Sequence, residues 1–164
     1  MEVAFRHAEE ADLECIVGTY NATIPSRLVT ADLEPVSVES RIDWFREHNR
    51  EKRPLWIVEY NGQYAGWMSF SSFYGRPGYD GTVEVSIYLE ERFRGKGIGK
   101  TCINKAFQAA PELNIHTLVG FIFSHNEVSL SLFRQMGFSN WALLPRVAQL
   151  DGVMRDLVIV GKKV

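Results

Sequence analysis

Hydrophobic positions near the start of the chain follow first the spacing of a strand and then that of a helix. Val3–Arg6 predicts a short strand, and after Asp12 apolar residues recur every three or four positions, as on one helix face. Asp12 is expected to be the N-cap of that helix. A second helix, capped by Ser37, is predicted from an apolar stripe made of Val38, Ile42 and Phe45, with Trp44 beside it. The charged residues of this helix, including Arg41 and Arg46, are expected to face solvent.

The middle of the chain predicts a hairpin followed by another strand. The runs LWIVEY and QYAGWMSFSSF flank Asn61-Gly62, and this dipeptide favours a type I′ turn because both residues tolerate positive φ. The segment YGRPGYDG is rich in turn residues and is expected to be a loop. After it, TVEVSIYL carries β-branched residues on alternate positions and predicts a strand.

The last third of the chain predicts two more helices and three more strands. A glycine-rich segment leads into an amphipathic helix that Pro111 soon ends, and TLVGFIF then predicts a buried strand. A short helix is expected from about Glu127 to Met136, with Gly137 as its C-terminal cap. Two strands are expected around Asp151-Gly152. The order β-α-α-β-β-β-α-β-α-β-β predicts an α/β fold, with residues 1–164 in one domain.

Composition and charge narrow the possible partners and location. The net charge of −2 leaves no general basic excess, so neither nucleic acid nor a membrane surface is an expected partner. The N-terminus carries charged residues where a signal peptide is apolar, and no run approaches the roughly 20 apolar residues of a membrane span. A cytoplasmic location is therefore expected.

The residues that most often bind metals are scattered along the chain. Cys15 and Cys102 lack a CxxC spacing and are expected to be free, structural thiols on apolar helix faces. The four histidines never occur at the short spacings of zinc ligands, so no metal site is expected.

Glycines and basic residues cluster between the strand TVEVSIYL and the following helix. The segment from Arg94 to Lys100 reads RGKGIGK, which contains the pattern RxxGxG but neither a Walker motif nor a dinucleotide fingerprint. Glycines allow a phosphate to approach the backbone closely, and the N-terminus of the helix favours an anion. The segment therefore predicts phosphate binding, with a flexible basic turn as the alternative.

This loop and its surroundings resemble the GNAT superfamily of N-acetyltransferases, in which RxxGxG binds the pyrophosphate of acetyl-CoA. The match extends to TVEVSIYL, to the pattern Asn126-x-x-Ser129-x-x-Leu132-Phe133 and to Gly137-Phe138. Further segments are similar to the phosphinothricin or methionine sulfoximine acetyltransferases, namely FRHAEEADLECIVGTYN, RIDWFREH, GWMSFSSF and RPGY. The resemblance covers nearly the whole chain. It implies the GNAT fold, with a mixed, mostly antiparallel sheet flanked by helices, and acetyl-CoA as cosubstrate.

The resemblance also implies roles for individual residues. Alternation along TVEVSIYL places Glu84 on the same face as Ser86 and Tyr88, where it could equally be a solvated strand residue. The resemblance implies that Glu84 is the general base that deprotonates an acceptor amine. Asn126 could also be a simple helix cap. The implied acetyl-CoA site consists of Ile87, Tyr88, Leu89, Arg94, Gly95, Lys96, Gly97, Ile98, Gly99, Lys100, Asn126, Ser129 and Phe133.

The acceptor site is less well defined than the acetyl-CoA site. Its expected residues are Tyr74, Arg76, Tyr79, Glu84, Val85 and Ser86. Arg76 could orient a carboxylate with two parallel hydrogen bonds, or it could be an exposed arginine in a Pro-Gly turn. The chain departs from the subfamily at Tyr74, where an arginine is usual, and from many superfamily members at Phe133, where a tyrosine acts as acid.

These departures keep several functions open. The expected activity is acetyl transfer to the primary amine of a small molecule, for example an amino-acid analogue such as phosphinothricin or methionine sulfoximine, by direct attack on the thioester. The alternatives are acetylation of a protein or peptide N-terminus, and a non-catalytic module that binds acyl-CoA.

A homodimer is also expected. The resemblance implies it, and the aromatic residues Trp67, Phe70, Phe73 and Tyr74 form a denser group than a small monomer usually exposes. The alternative is that these four side chains fill one core.

Overall fold

A seven-stranded sheet forms the centre of the molecule in the computed structural model, which describes residues 2–164. The strands are β1 (Val3–His7), β2 (Leu55–Tyr60), β3 (Gln63–Ser72), β4 (Thr82–Leu89), β5 (Thr117–Phe123), β6 (Ser139–Leu150) and β7 (Val153–Lys163). The helices are α1 (Leu13–Thr23), α2 (Ile42–Arg46), α3 (Ile98–Ala109) and α4 (Glu127–Gln135). The strand order across the sheet is β1-β2-β3-β4-β5-β7-β6. This confirms the expected order of elements along the chain.

All neighbouring strands are antiparallel except β4 and β5. The sheet is therefore mixed and mostly antiparallel, and helices flank it, as the expected fold class requires. Asn61 and Gly62 join β2 to β3 with φ angles of 50° and 79°, and Asp151 and Gly152 join β6 to β7 with 52° and 80°. Positive φ at both positions is the type I′ geometry that these dipeptides predict.

The parallel pair β4–β5 separates after three residues. Thr82, Val83 and Glu84 pair with Thr117, Leu118 and Val119, and β4 and β5 do not pair with each other beyond these residues. On its other side, β4 stays paired with β3 as far as Leu89. The two central strands therefore diverge beyond Glu84 and open a wedge in the sheet.

The two faces of the sheet carry separate cores. The face covered by α3 and α4 includes Phe70, Val83, Val85, Ile103 and Phe133. The face covered by α1 and α2 includes Ile16, Leu55, Ile57 and Trp67. Trp67 and Phe70, expected to contribute to an exposed aromatic group, are only 4% and 0% exposed. That expectation is wrong for these two residues, because β3 lies inside the sheet with both of its faces covered.

The starts of the first two helices differ from the sequence-based expectations. The Asp12 carboxylate does not cap α1; it accepts two hydrogen bonds of 2.8 Å from the Arg6 guanidinium and one from the Glu9 amide. The Ser37 hydroxyl does accept a hydrogen bond from the Ser40 amide, at 3.1 Å. No side chain caps the 3₁₀ turn that follows or α2 itself, however, and α2 is just five residues long.

Candidate active site

A groove with a volume of about 840 Å³ follows the wedge between β4 and β5 to the loop before α3. Eleven of the thirteen residues expected to bind acetyl-CoA line it: Ile87, Tyr88, Leu89, Arg94, Gly95, Gly97, Gly99, Lys100, Asn126, Ser129 and Phe133. The other two, Lys96 and Ile98, do not. The Ile98 side chain is buried in the core, and the Lys96 ammonium lies 6.0 Å from the centre of the Tyr60 ring. The structure therefore brings most of the expected set to one continuous surface.

One wall of the groove is the edge of β4 that faces the wedge. Because pairing with β5 stops at Glu84, the backbone groups on this edge from Val85 to Leu89 have no strand partner. The Arg94 guanidinium donates a 3.3 Å hydrogen bond to the Leu89 carbonyl. The remaining groups can pair with an extended ligand that carries amides, as an added strand would.

The far end of the groove is formed by the glycine-rich loop and the start of α3. Gly95 and Gly97 have φ angles of 75° and 79°, and a Cβ added at either position would meet no protein atom within 4 Å. No side chain caps α3, and its first internal hydrogen bond runs from the Thr101 amide to the Gly97 carbonyl. The preceding amides are free to bind an anion, and Arg94 and Lys100 add positive charge. The loop therefore fits a pyrophosphate group.

Asn126 caps α4 and also holds a distant segment. Its side-chain oxygen accepts a hydrogen bond from the Ser129 amide, and its side-chain nitrogen donates to the Leu28 carbonyl, both at 3.2 Å. The cap reading is thus correct, and one amide N–H of Asn126 is left for a ligand in the groove. The neighbouring His125 ring nitrogen Nε2 lies 2.8 Å from the Arg27 carbonyl. These contacts hold the chain after α1 against the mouth of the groove.

A second cavity, of about 190 Å³, lies on the face of the sheet covered by α1 and α2. Its walls are Ile16, Val17, Tyr20, Val36, Arg41, Trp44, Trp67, Ser69, Ser71, Glu84, Ser86 and Tyr88. Glu84, Ser86 and Tyr88 line this cavity and the groove as well. They therefore lie where the two spaces meet, on alternate positions of β4, as the strand periodicity predicts.

Glu84 occupies the apex of the wedge. It is the last residue of β4 that pairs with β5, opposite Val119, and its partner on β3 is Ser71. Burial raises the pKa of the Glu84 carboxyl, and no ion pair to it occurs within residues 2–164. A raised pKa makes its carboxylate a stronger base than an exposed glutamate.

The structure does not bring all expected acceptor residues together. Tyr74, Arg76 and Tyr79 lie on the exposed loop between β3 and β4 and line neither cavity. The Val85 side chain points into the core, although Val85 also borders the groove. A role of the loop residues in acceptor binding stays a prediction.

Arg41 lies at the site although its sequence pattern did not indicate it. Arg41, expected to face solvent, lines the second cavity, with its guanidinium 5.0 Å from the centre of the Tyr20 ring. The helical pattern around Arg41 could not reveal this, because it places the residue beside the apolar stripe without indicating the loop that folds over it.

Neither cysteine lies in these spaces. Cys102 is buried in the core, where burial raises the pKa of its thiol to about 12. Cys15 is exposed, so the expectation that it lies on an apolar helix face is wrong. Among residues 2–164 no group of three or more His, Cys, Asp or Glu side chains could hold a metal ion.

The helices of the described chain are too short or too polar to cross a membrane.

The sequence and the fold of this chain are similar to those of known acetyltransferases. The model described as "Acetyltransferase (GNAT) family" matches residues 16–138. The chain is 50% identical to "Putative phosphinothricin acetyltransferase YwnH" of Bacillus subtilis, over 98% of this chain and 99% of the relative. It is 30% identical to an L-methionine sulfoximine/L-methionine sulfone acetyltransferase of Pseudomonas aeruginosa, over 98% and 94%. The crystal structure of a phosphinothricin acetyltransferase from Sinorhizobium meliloti in complex with acetyl-CoA is 25% identical, with a TM-score of 0.92 and coverage of 100% and 89%.

Proposed function

This chain belongs to the GNAT family of acetyltransferases, and on that basis we propose that residues 1–164 form one catalytic domain that acetylates the primary amine of a small molecule. Acetyl-CoA is the donor. The observation that carries the proposal is the position of Glu84, which lines both the long groove and the smaller cavity on the other face of the sheet. A base at that junction is within reach of an amine that enters from one side and a thioester that enters from the other.

The groove provides the contacts that acetyl-CoA needs. The unpaired edge of β4 beyond Glu84 would pair with the pantetheine amides, and the remaining Asn126 amide N–H would add a further hydrogen bond. The free amides at the start of α3, with Arg94 and Lys100, would hold the pyrophosphate. These contacts would hold the thioester near the apex of the wedge, beside Glu84.

Glu84 then acts as the general base. An aliphatic amine is mostly protonated at neutral pH, so the Glu84 carboxylate must take a proton before the nitrogen can attack. The nitrogen bonds to the thioester carbonyl carbon, the carbon–sulfur bond breaks, and the nitrogen gives up a second proton as the amide forms. Phe133 lines the groove but has no proton to give, so water passes a proton to the thiolate, which leaves as CoA, and takes up the one released by the nitrogen. Since neither Cys15 nor Cys102 lines either space, the acetyl group passes directly to the amine.

The names of the relatives support an acceptor class. Proteins called phosphinothricin or methionine sulfoximine acetyltransferases match this chain over almost its whole length. An amino-acid analogue is therefore the expected acceptor, and the Arg76 side chain remains a candidate for its carboxylate. A cytoplasmic location also remains a prediction.

The test is to mix the pure protein with acetyl-CoA and a panel of amines while following the release of free thiol. The proposal predicts release that depends on a small amine and that yields the N-acetyl product. Release with peptides alone would support acetylation of N-termini instead. Tight binding of CoA without release for any amine would support the non-catalytic module.

The protein is expected to be a homodimer. Leu143 and Trp141 on the edge strand β6 are 58% and 47% exposed, and Tyr74 before β4 is 66% exposed. A small monomer rarely leaves so many large apolar side chains in solvent, and association would cover them. Sedimentation equilibrium should give twice the chain mass over a range of protein concentrations. A monomer mass that does not change with concentration, with and without CoA, would exclude the dimer.

A further inference from the structure

We propose that Arg41 is a specificity-determining residue for this acceptor class, and that its guanidinium binds the carboxylate or phosphinate that the acceptor carries beside its amine. The inference rests on the proposed function, because it concerns the acceptor side of the same site. It separates such amines from plain amines and peptide N-termini.

The charges of the smaller cavity support this assignment. Twelve residues line it, and only Arg41 among them has a basic side chain and only Glu84 a carboxyl group. A cavity with one cation and one carboxylate matches a small molecule that has both an amine and an acid. The amine would point to Glu84, which also lines the groove, and the acid would lie against Arg41.

Neighbouring side chains hold Arg41 in place but leave most of its hydrogen-bond donors free. Its guanidinium stacks over Tyr20, and one nitrogen lies 3.2 Å from the Asp32 carboxylate. The Tyr20 hydroxyl donates to the same carboxylate and lies 2.6 Å from the Thr30 hydroxyl. The contact with Asp32 is the one hydrogen bond that the Arg41 side chain makes within residues 2–164, and this side chain is 28% exposed. The other guanidinium nitrogens are free to form the paired contacts that arginine makes with carboxylates and phosphinates.

Aromatic side chains form the rest of the cavity wall. Trp67 stacks on Tyr88 with ring centres 4.6 Å apart, and Trp44 and Tyr20 contact this pair at 5.3 Å each. Rigid rings of this kind hold an apolar part of a ligand with little loss of entropy, and they exclude water around an ion pair. An acidic group at Arg41 would therefore be bound more strongly than on an open surface.

The experiment compares acceptors that differ only in an acidic group. One pair is L-methionine sulfone and its carboxamide, and the other is L-glutamate and L-glutamine. Arg41→Met should raise KM for the acidic member of at least one pair by about ten- to a hundredfold and leave the neutral member nearly unchanged. Arg41→Lys should recover part of this difference, since it keeps the charge but not the fork. The pair that responds shows whether the α-carboxylate or a side-chain acid is bound.

The matched control is Arg46→Met, which removes the same charge from an exposed position on α2, where Arg46 lies 3.8 Å from Glu10. This variant should behave like the parent. If Arg41→Met raises KM equally for the two members in both pairs, Arg41 only supports the loop through Asp32 and the inference fails.

A binding measurement can test the role of Arg41 even if the protein acetylates no amine. Absence of acetyl transfer to every amine would refute the transferase proposal but would not decide the role of Arg41. In that case the shift in melting temperature caused by each acidic amine, measured with CoA bound, is compared between the parent and Arg41→Met. A shift that the variant loses supports the assignment; no shift in the parent, or an equal shift in both proteins, overturns it.

Discussion

Replacing Glu84 with glutamine is expected to lower the rate of acetyl transfer at neutral pH by about a hundred- to ten-thousandfold, the usual contribution of general base catalysis. Glutamine keeps the shape of the side chain but cannot take a proton. Glu84 lies at the apex of the wedge, and the groove continues from there to the loop before α3. Because the expected CoA contacts lie along β4 and that loop, affinity for CoA should stay nearly unchanged.

The pH dependence gives the same variant a second readout. Burial raises the pKa of the Glu84 carboxyl, and the base acts only when ionised. The rate of the parent should therefore rise with pH through that raised pKa, at a higher pH than for an exposed glutamate, whose pKa is about 4.3. The rate of the glutamine variant should not show this rise with pH. Glu59→Gln is the matched control, since Glu59 also lies on an inner strand but lines neither cavity. An unchanged pH–rate profile in Glu84→Gln would show that Glu84 is not the general base.

Replacing Gly97 with valine is expected to abolish the stabilisation of the protein by CoA. A ligand that binds only the folded state at a hundredfold excess over Kd adds about 2.7 kcal/mol of stability. Gly97 has a φ of 79° immediately before α3, a conformation that a β-branched residue rarely adopts. Valine would therefore shift the loop and place methyl groups in the space that the pyrophosphate needs. The measurement is the change in melting temperature on addition of CoA.

A control is needed because strain at a positive φ lowers stability wherever it occurs. Gly62, in the turn between β2 and β3, has the same φ of 79° and equally open surroundings. It lines neither the groove nor the smaller cavity. Gly62→Val should lower the melting temperature without CoA but keep the CoA-dependent shift. A folded Gly97→Val protein that responds to CoA like the parent would show that the glycine-rich loop does not bind the pyrophosphate.

Local signals predicted the framework of the fold well. Asn61-Gly62 and Asp151-Gly152 predict tight turns because of their own backbone preferences, and both turns occur. The alternation along β4 correctly places Glu84 with Ser86 and Tyr88. In each case the deciding interaction lies within a few residues of the chain. Such interactions are readable from spacing alone.

Two of the errors arose where distant segments meet. Trp67 and Phe70 were expected to contribute to an exposed aromatic group, but β3 is an inner strand and both are buried. Arg41 was expected to face solvent, but Asp32 and Tyr20 hold it at a cavity wall. Strand order and loop packing decide these two cases, and neither is encoded in local periodicity.

The error at Asp12 is local. Asp12 was expected to cap α1, yet Arg6, six residues earlier, and the Glu9 amide bind its carboxylate. Two short-range interactions compete for this side chain, and the helical spacing does not tell which of them forms.

The central claim is that the protein passes an acetyl group directly from acetyl-CoA to a small amine held beside Glu84. The most direct test is mass spectrometry of the reaction mixture and of the intact protein after brief incubation with acetyl-CoA, with and without L-methionine sulfone. Direct transfer should yield N-acetylated amine in the same amount as released CoA, and a protein of unchanged mass. An acetyl group attached to the protein, or released CoA without acetylated amine, would contradict it.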